Sequence, residues 1–288
     1  MNRSGILKYS ADLRSIGTVS AAVGFSLLPF TAHLPIWMLI LCLIVAMYAR
    51  TLCPYAQHNH AHLSVFNSKV LNHIYDVMLT QVTGYPTSQW ELHHNRGHHR
   101  HFLRCELDVA RVTHLKTGKV MSRWWYAIRG NFTILLDSIR IGVAEGREGK
   151  KTLLPKLFGE VVVQMVITFT LIYLNGWLAV VFFIVPNVAA AFLIWWESYP
   201  HHLQVPNSNI YDGSVTITAR FFNFETFNIG HHTAHHEKPT LHWSLLPART
   251  EAIRNRIPEM CLHDVRIRSS RRLVAESMRK SLSPRQPV

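Results

Sequence analysis

Two stretches of this chain, residues 15–49 and 161–196, contain no Asp, Glu, Lys or Arg. An element of a soluble domain must turn some face to water, so charge is not kept out of runs that long. The two runs read as membrane segments. Each is too long for one crossing, because about 20 apolar residues span the hydrocarbon. Pro29 and Pro35 flank a natural turn at residues 31–35, and Asn175-Gly176 mark one in the second run. The expectation is an all-α integral membrane fold with four transmembrane helices, arranged as two hairpins. Trp37, Trp177, Trp195 and Trp196 fall near the expected helix ends, where aromatic side chains anchor in the interface.

An even number of crossings in each run puts residues 1–14, 50–160 and 197–288 on one side of the membrane. Every Lys and Arg lies in those segments, and the positive-inside rule makes that side the cytoplasm. A single domain results. Its parts are a first hairpin (15–49), a cytosolic segment (50–160), a second hairpin (161–196), a second cytosolic segment (197–250) and a basic C-terminal helix and tail (251–288). The cytosolic parts should form a helical cap, with a break at residues 84–88 and Ser88 as an N-cap. Residues 124–126 and 134–143 mix apolar with basic side chains, which suits helices on the membrane surface or in the core of the cap.

The net charge of +13 follows from this topology, and no nucleic-acid-binding module is present to claim it. Cys42, Cys53, Cys105 and Cys261 are scattered without a C-x-x-C. That pattern argues against a disulfide framework, a zinc ribbon and a cysteine-held iron–sulfur cluster. The polar residues 1–14 lead into a run too long for a signal-peptide core, so no cleaved signal is expected.

Fourteen of the 19 histidines fall in four groups, all on the cytoplasmic side. His58 and His62 are four apart and share a helix face, whereas His60 points about 200° away from His58 and is not expected as a ligand. In the second group His94 and His98 share a face with His99 beside it, and Gly97 allows a close approach. Glu91, His93 and His101 are alternates or hydrogen-bonding partners there; Arg96 and Arg100 should point away or pair with Glu91. In the third group Pro200 turns the chain, and of His201 and His202 the second is favoured. Glu197 is a candidate to orient an imidazole. In the fourth, His232, His235 and His236 stand on one face, His231 is a spectator or alternate, and Asn228 either supports a ligand or makes a turn.

Burying so many unpaired imidazoles would be costly, so the groups read as a metal site. The expected ligands are His58, His62, His94, His98, His99, His202, His232, His235 and His236. These exceed what one four-coordinate zinc takes and suit two ions of higher coordination number, for which imidazole–iron is a good match. Replacing His98 or His235 should abolish activity, while replacing His60 should be tolerated.

The spacings H-x3-H (His58, His62), H-x3-H-H (His94, His98, His99) and H-x2-H-H (His232, His235, His236) resemble the three histidine boxes of the integral-membrane fatty acid desaturase and hydroxylase superfamily. So does their placement around two membrane hairpins. Residues 230–236 and 239–244 look most like bacterial-type desaturases, and residues 91–99 are also similar to the second box of alkane monooxygenases. The resemblance implies a cytosol-facing di-iron centre of two iron ions. With O2 as co-substrate it attacks an unactivated C–H bond of a fatty acyl chain. Such a bond offers no acidic proton, so a metal-generated oxidant is needed. No fused electron-carrier domain is visible, so a separate donor of ferredoxin, rubredoxin or cytochrome b5 type is expected, docking on the basic face. The leading expectation is a desaturase, ahead of a hydroxylase or an oxidative decarboxylase of the same superfamily. A histidine-rich metal transporter or sensor would need ligands within the membrane, where only His33 lies, and a zinc protease would need an H-E-x-x-H that does not occur.

Overall fold

The computed structural model describes residues 5–203 and 205–263. Among them, three helical runs are long and apolar enough to cross a membrane: Ser10–Thr31, Ile36–His62 and Leu154–His202. Helix α1 (Leu13–Thr31) and helix α2 (Ile36–His62) are separated at the expected turn, where Pro35 is extended. The third run holds α6 (Leu154–Ala179), a π-helical turn (Val180–Ile184) and α7 (Val185–Ser198). It is interrupted at Asn175, whose φ of −163° and ψ of 100° are not helical. The Asn175 Oδ1 accepts from the backbone N–H of Leu178 at 3.1 Å, as an N-cap does for a new helix. These helices leave Trp37, Ile40, Ile44, Val166, Phe169, Trp177 and Val188 exposed. An apolar surface of that extent is what a bilayer covers.

Helix α2 does not stop with the first charge-free run but continues through Arg50 to His62. Arg50 is 1% exposed. Its guanidinium donates to Ser26 Oγ (3.0 Å), Phe182 O (2.9 Å), Asn187 Oδ1 (2.5 Å), Gln81 O (3.3 Å) and Val82 O (3.4 Å). A buried charge is tolerable only when so satisfied, and here it ties α1, α2, α3 (Lys69–Thr83), the π-turn and α7 together.

Gly84 ends α3 with φ of +79°, within 3.3 Å of Asn187 on α7 by the position its Cβ would take. Helix α4 (Thr87–Trp90) follows, with Pro86 at its N-cap. Ser88 is therefore not the cap. Its N–H and hydroxyl both donate to Glu160 Oε2, at 2.9 and 2.5 Å, and join α4 to α6. Helix α5 (Arg123–Arg147) is capped by Ser122. It lies so close to α7 that a Cβ on Gly130 would fall 2.2 Å from the Trp195 ring. Trp124, Trp125, Ile128, Phe132 and Leu135 remain exposed on α5, and the Trp124 ring meets that of Trp196.

The C-terminal third contains α8 (Arg220–Glu225), α9 (His232–Glu237) and α10 (Leu246–Ile253). The fold is not purely helical. Two short strands, β1 (Thr216–Ile217) and β2 (Leu262–His263), pair in parallel. The long basic helix expected from residue 251 is also not seen over the described part. After α10 come two 3-10 turns, separated at Ile257, which is extended, and Pro258. Residues 264–288 of that expectation lie outside the described residues.

Candidate metal centre

The four histidine groups arrive on three kinds of backbone: α-helix for the first and fourth, π-helix for the second and a 3-10 turn for the third. His58 and His62 sit on the last turns of α2, an ordinary helix, so the i, i+4 pair shares a face. His202 ends a 3-10 turn, Tyr199–His202, that Pro200 imposes after α7. His232, His235 and His236 lie on α9, all buried. Thr233 holds that short helix in place: its Oγ1 accepts from Thr216 Oγ1 at 2.8 Å, and its N–H donates to Thr216 Oγ1 at 3.2 Å.

The second group overturns a simple spacing rule. Glu91–His98 is a π-helix, in which hydrogen bonds close over five residues; the His99 N–H donates to His94 O. Residues five apart therefore align. His94 and His99 bring their Nε2 atoms to 3.0 Å, while His98 turns to a different set of rings. The expected His94–His98 pairing on one face is thus split. Gly97 lets this turn pack closely on its neighbours, because a Cβ there would meet Val109 Cγ2 at 2.7 Å and Ile141 Cδ1 at 2.8 Å.

All nine expected ligands converge. In one set, Nε2 atoms lie 3.0 Å apart between His94 and His99, His99 and His235, and His235 and His58. In the other, His202 to His232 is 3.1 Å and His232 to His236 is 3.2 Å. The Nε2 atoms of His62 and His98 are buried with no hydrogen-bond partner. One nitrogen each from His58, His62, His94 and His235 lie within 4.8 Å of one another, as do those of His98, His202 and His236. The sets adjoin, since the His99 and His236 rings stack at 4.4 Å.

Neutral imidazoles have one donor and one acceptor nitrogen, and so many inward-facing lone pairs cannot satisfy one another. Cations between them resolve the conflict, so the donors fit two metal ions. Burial first, and neighbouring imidazoles second, hold His94, His99, His232, His235 and His236 well below the ordinary imidazole range. They are neutral, as ligands must be.

Around the rings, Asp108 is the group that the sequence did not reveal. Both of its oxygens lie 2.9 Å from His98 Nδ1, which fixes the proton there and turns Nε2 inward. Phe102 stacks on His236 at 3.7 Å and Trp90 on His94 at 5.2 Å. Among the alternates, His201 lies against Val215 O (3.4 Å) and the His232 ring. His231 bonds to Thr250 Oγ1 at 2.9 Å, away from the centre. His93 is buried edge-on to Trp195, and burial lowers its pKa to about 3; the Nδ1 of His101 has no hydrogen-bond partner. Asn228 makes a turn at φ of +62° and donates to Trp243 O.

The charged neighbours pair differently from expectation. Glu91 meets Lys156 at 3.1 Å, while Arg96 and Arg100 both reach Glu145 instead. Glu197 lies 3.6 Å from Arg123. His60 faces away, as expected, but it is buried. It lies 3.2 Å from Asp76 and accepts from Val65 N–H, so its replacement is not neutral for the fold.

An apolar pocket abuts the centre. Its walls include His58, His94, His98, His202 and His232 on one side, and Trp90, Tyr126, Ile194 and Trp195 on the other.

The family model for fatty acid desaturases matches residues 33–268, which takes in all four histidine groups. The chain belongs to the fatty acid desaturase family. It is an integral membrane protein of an oxidoreductase family that uses iron, and its histidine clusters are placed to bind metal. No curated protein matches it.

Proposed function

We propose that this protein is an O2-dependent di-iron desaturase of fatty acyl chains in lipid metabolism. The observation that carries the reading is the convergence of nine imidazoles, five of them buried and four half-buried, as two adjoining nitrogen sets beside an apolar pocket. His58, His62, His94, His99 and His235 would hold one iron, and His98, His202, His232 and His236 would hold the other. The irons with O2 supply an oxidant strong enough to take hydrogen from a methylene group. A –CH2–CH2– pair gives up two hydrogens. O2 accepts four electrons, two from the C–H bonds and two from a separate donor of ferredoxin, rubredoxin or cytochrome b5 type, and with two added protons leaves as two waters.

The chain's own residues bind and orient. Trp90, Tyr126, Ile194 and Trp195 hold the alkyl chain and exclude water from the reacting carbons. Asp108 keeps the His98 proton on Nδ1, so that Nε2 stays a donor to metal. The break and side-chain cap at Asn175 support a reversal there, hence four crossings in two hairpins within one domain. Both termini and the centre then lie on the cytoplasmic side, which carries the basic residues.

Feeding a labelled fatty acid to cells with and without the gene tests the reading. A new double bond is expected. Recovery of only a hydroxylated chain, or of an alkene one carbon shorter, would replace desaturation by the corresponding reaction.

A further inference from the structure

Two helical stripes face each other across a groove that leads to the metal centre. On α2 the stripe is Thr51, Pro54, Tyr55 and His58; on α7 and the turn after it, it is Ala190, Leu193, Ile194, Glu197 and His201. Both run at the three- and four-residue steps of a single helix face. The apolar pocket beside the histidines occupies the inner end of this groove. A second cavity, lined by Thr51, Ala190 and Leu193, occupies the outer end. Pro54, Tyr55, Ile194 and Glu197 line both cavities.

We propose that the site takes its alkyl chain sideways from the surrounding leaflet, through a mouth between α2 and α7. Thr51, Ala190 and Leu193 form the rim, and Tyr55 and Ile194 form the waist that a chain must pass. This rests on the desaturase reading and adds the substrate class: a chain resident in the bilayer, as a free fatty acid or part of a membrane lipid.

Three observations support it. Ala190 and Leu193 belong to the charge-free run, so the rim lies at a level where lipid is the surrounding medium. Val188, less than a turn above the rim on α7, is 67% exposed, as a lipid-facing side chain would be. Among the described residues, the only charged side chain in the lining is Glu197, which lies beside Arg123. A coenzyme A thioester, carrying several phosphate charges, would meet a carboxylate in this described lining, and the neighbouring Arg123 is already paired with it. The rise from Thr51 to His58 is about 10 Å, so a chain entering at the rim reaches the histidines within its own length.

The test is photo-labelling of the purified protein in phosphatidylcholine vesicles, with three probes: a diazirine-tagged fatty acid, a diazirine-acyl phospholipid, and a diazirine-acyl coenzyme A added from water. Label from one or both membrane-borne probes is expected on peptides carrying residues 51–55 and 190–194, and which of the two labels separates free acid from lipid. Leu193→Trp should lower that labelling about tenfold, the effect of about 1.4 kcal/mol of lost fit. Leu193→Ala should raise it, which keeps the test decisive if the tryptophan variant folds poorly. Label from the water-borne probe alone, or label indifferent to both substitutions, would overturn the mouth. Iron content and product formation are read in parallel. Unchanged dehydrogenation in Leu193→Trp sinks the mouth and leaves the desaturase standing. Absence of iron and of product in the wild type sinks the desaturase reading itself.

Discussion

The first and second histidine groups carry the same H-x3-H spacing and use it in opposite ways. On α2, a regular helix, His58 and His62 face a common point within one nitrogen set. Four residues apart again, His94 and His98 go to different sets, because Glu91–His98 is wound as a π-helix. One extra residue per hydrogen-bonded turn rotates the face, so that His94 aligns with His99 and His98 is released to meet His202 and His236. Spacing in sequence is therefore a statement about contact only once the winding of the backbone is known. The π-helical winding lets the second group contribute rings to both nitrogen sets.

The comparison is broken most severely by removing one ligand from each group. His62→Ala and His98→Ala should each reduce activity to background. His62→Ala should disturb the five-histidine set and His98→Ala the four-histidine set, as read by the iron remaining per chain. If both variants lose the same iron, the split of the second group is wrong. Gly97→Val tests the packing that holds the second group in place. The new side chain would collide with Val109 and Ile141, costing about 1–3 kcal/mol of stability by overpacking, with iron lost from both sets. A Gly97→Val protein with normal melting and full iron would show that the close approach is unimportant.

Asp108→Asn sharpens the comparison with a smaller expected effect. It leaves the ring in place but weakens its orientation, and losses of about 10–100-fold in metal affinity or activity follow from such changes. The loss should be confined to the set containing His98, as metal titration would report. The smallest effect on chemistry should come from His60→Ala. That ring points away from the metals, so iron stoichiometry should be retained. Removing the partner of Asp76 and Val65 should still lower stability by about 1–3 kcal/mol, measured by thermal unfolding. Loss of iron in His60→Ala would place that ring in the centre.

Much of the fold could be read from the sequence where composition is forced by the solvent. The charge-free runs, the turn at residues 31–35 and the break at Asn175 all appear where the residues indicate, because a bilayer tolerates few alternatives. The histidine groups were legible for a similar reason: buried imidazoles need partners, and His202 rather than His201 faces the centre once Pro200 has turned the chain. What could not be read depends on local winding or on a distant partner. No residue between Glu91 and His98 distinguishes a π-helix from an α-helix by its propensity. Asp108 stands two residues after Glu106 in a loop of mixed character, ten residues from the ring it holds, and nothing in the sequence singles it out. Arg50 looked like the first residue past the membrane, and its burial is visible only when Ser26, Phe182 and Asn187 close around it. The pairing of Glu91 with Lys156, rather than with Arg96, likewise depends on α6 packing beside the second group.

The most direct test of the account is anomalous diffraction at the iron edge on crystals of the purified enzyme. The account predicts two iron peaks, one enclosed by His58, His62, His94, His99 and His235 and the other by His98, His202, His232 and His236. A single peak, or zinc in place of iron in a fully active protein, would contradict it.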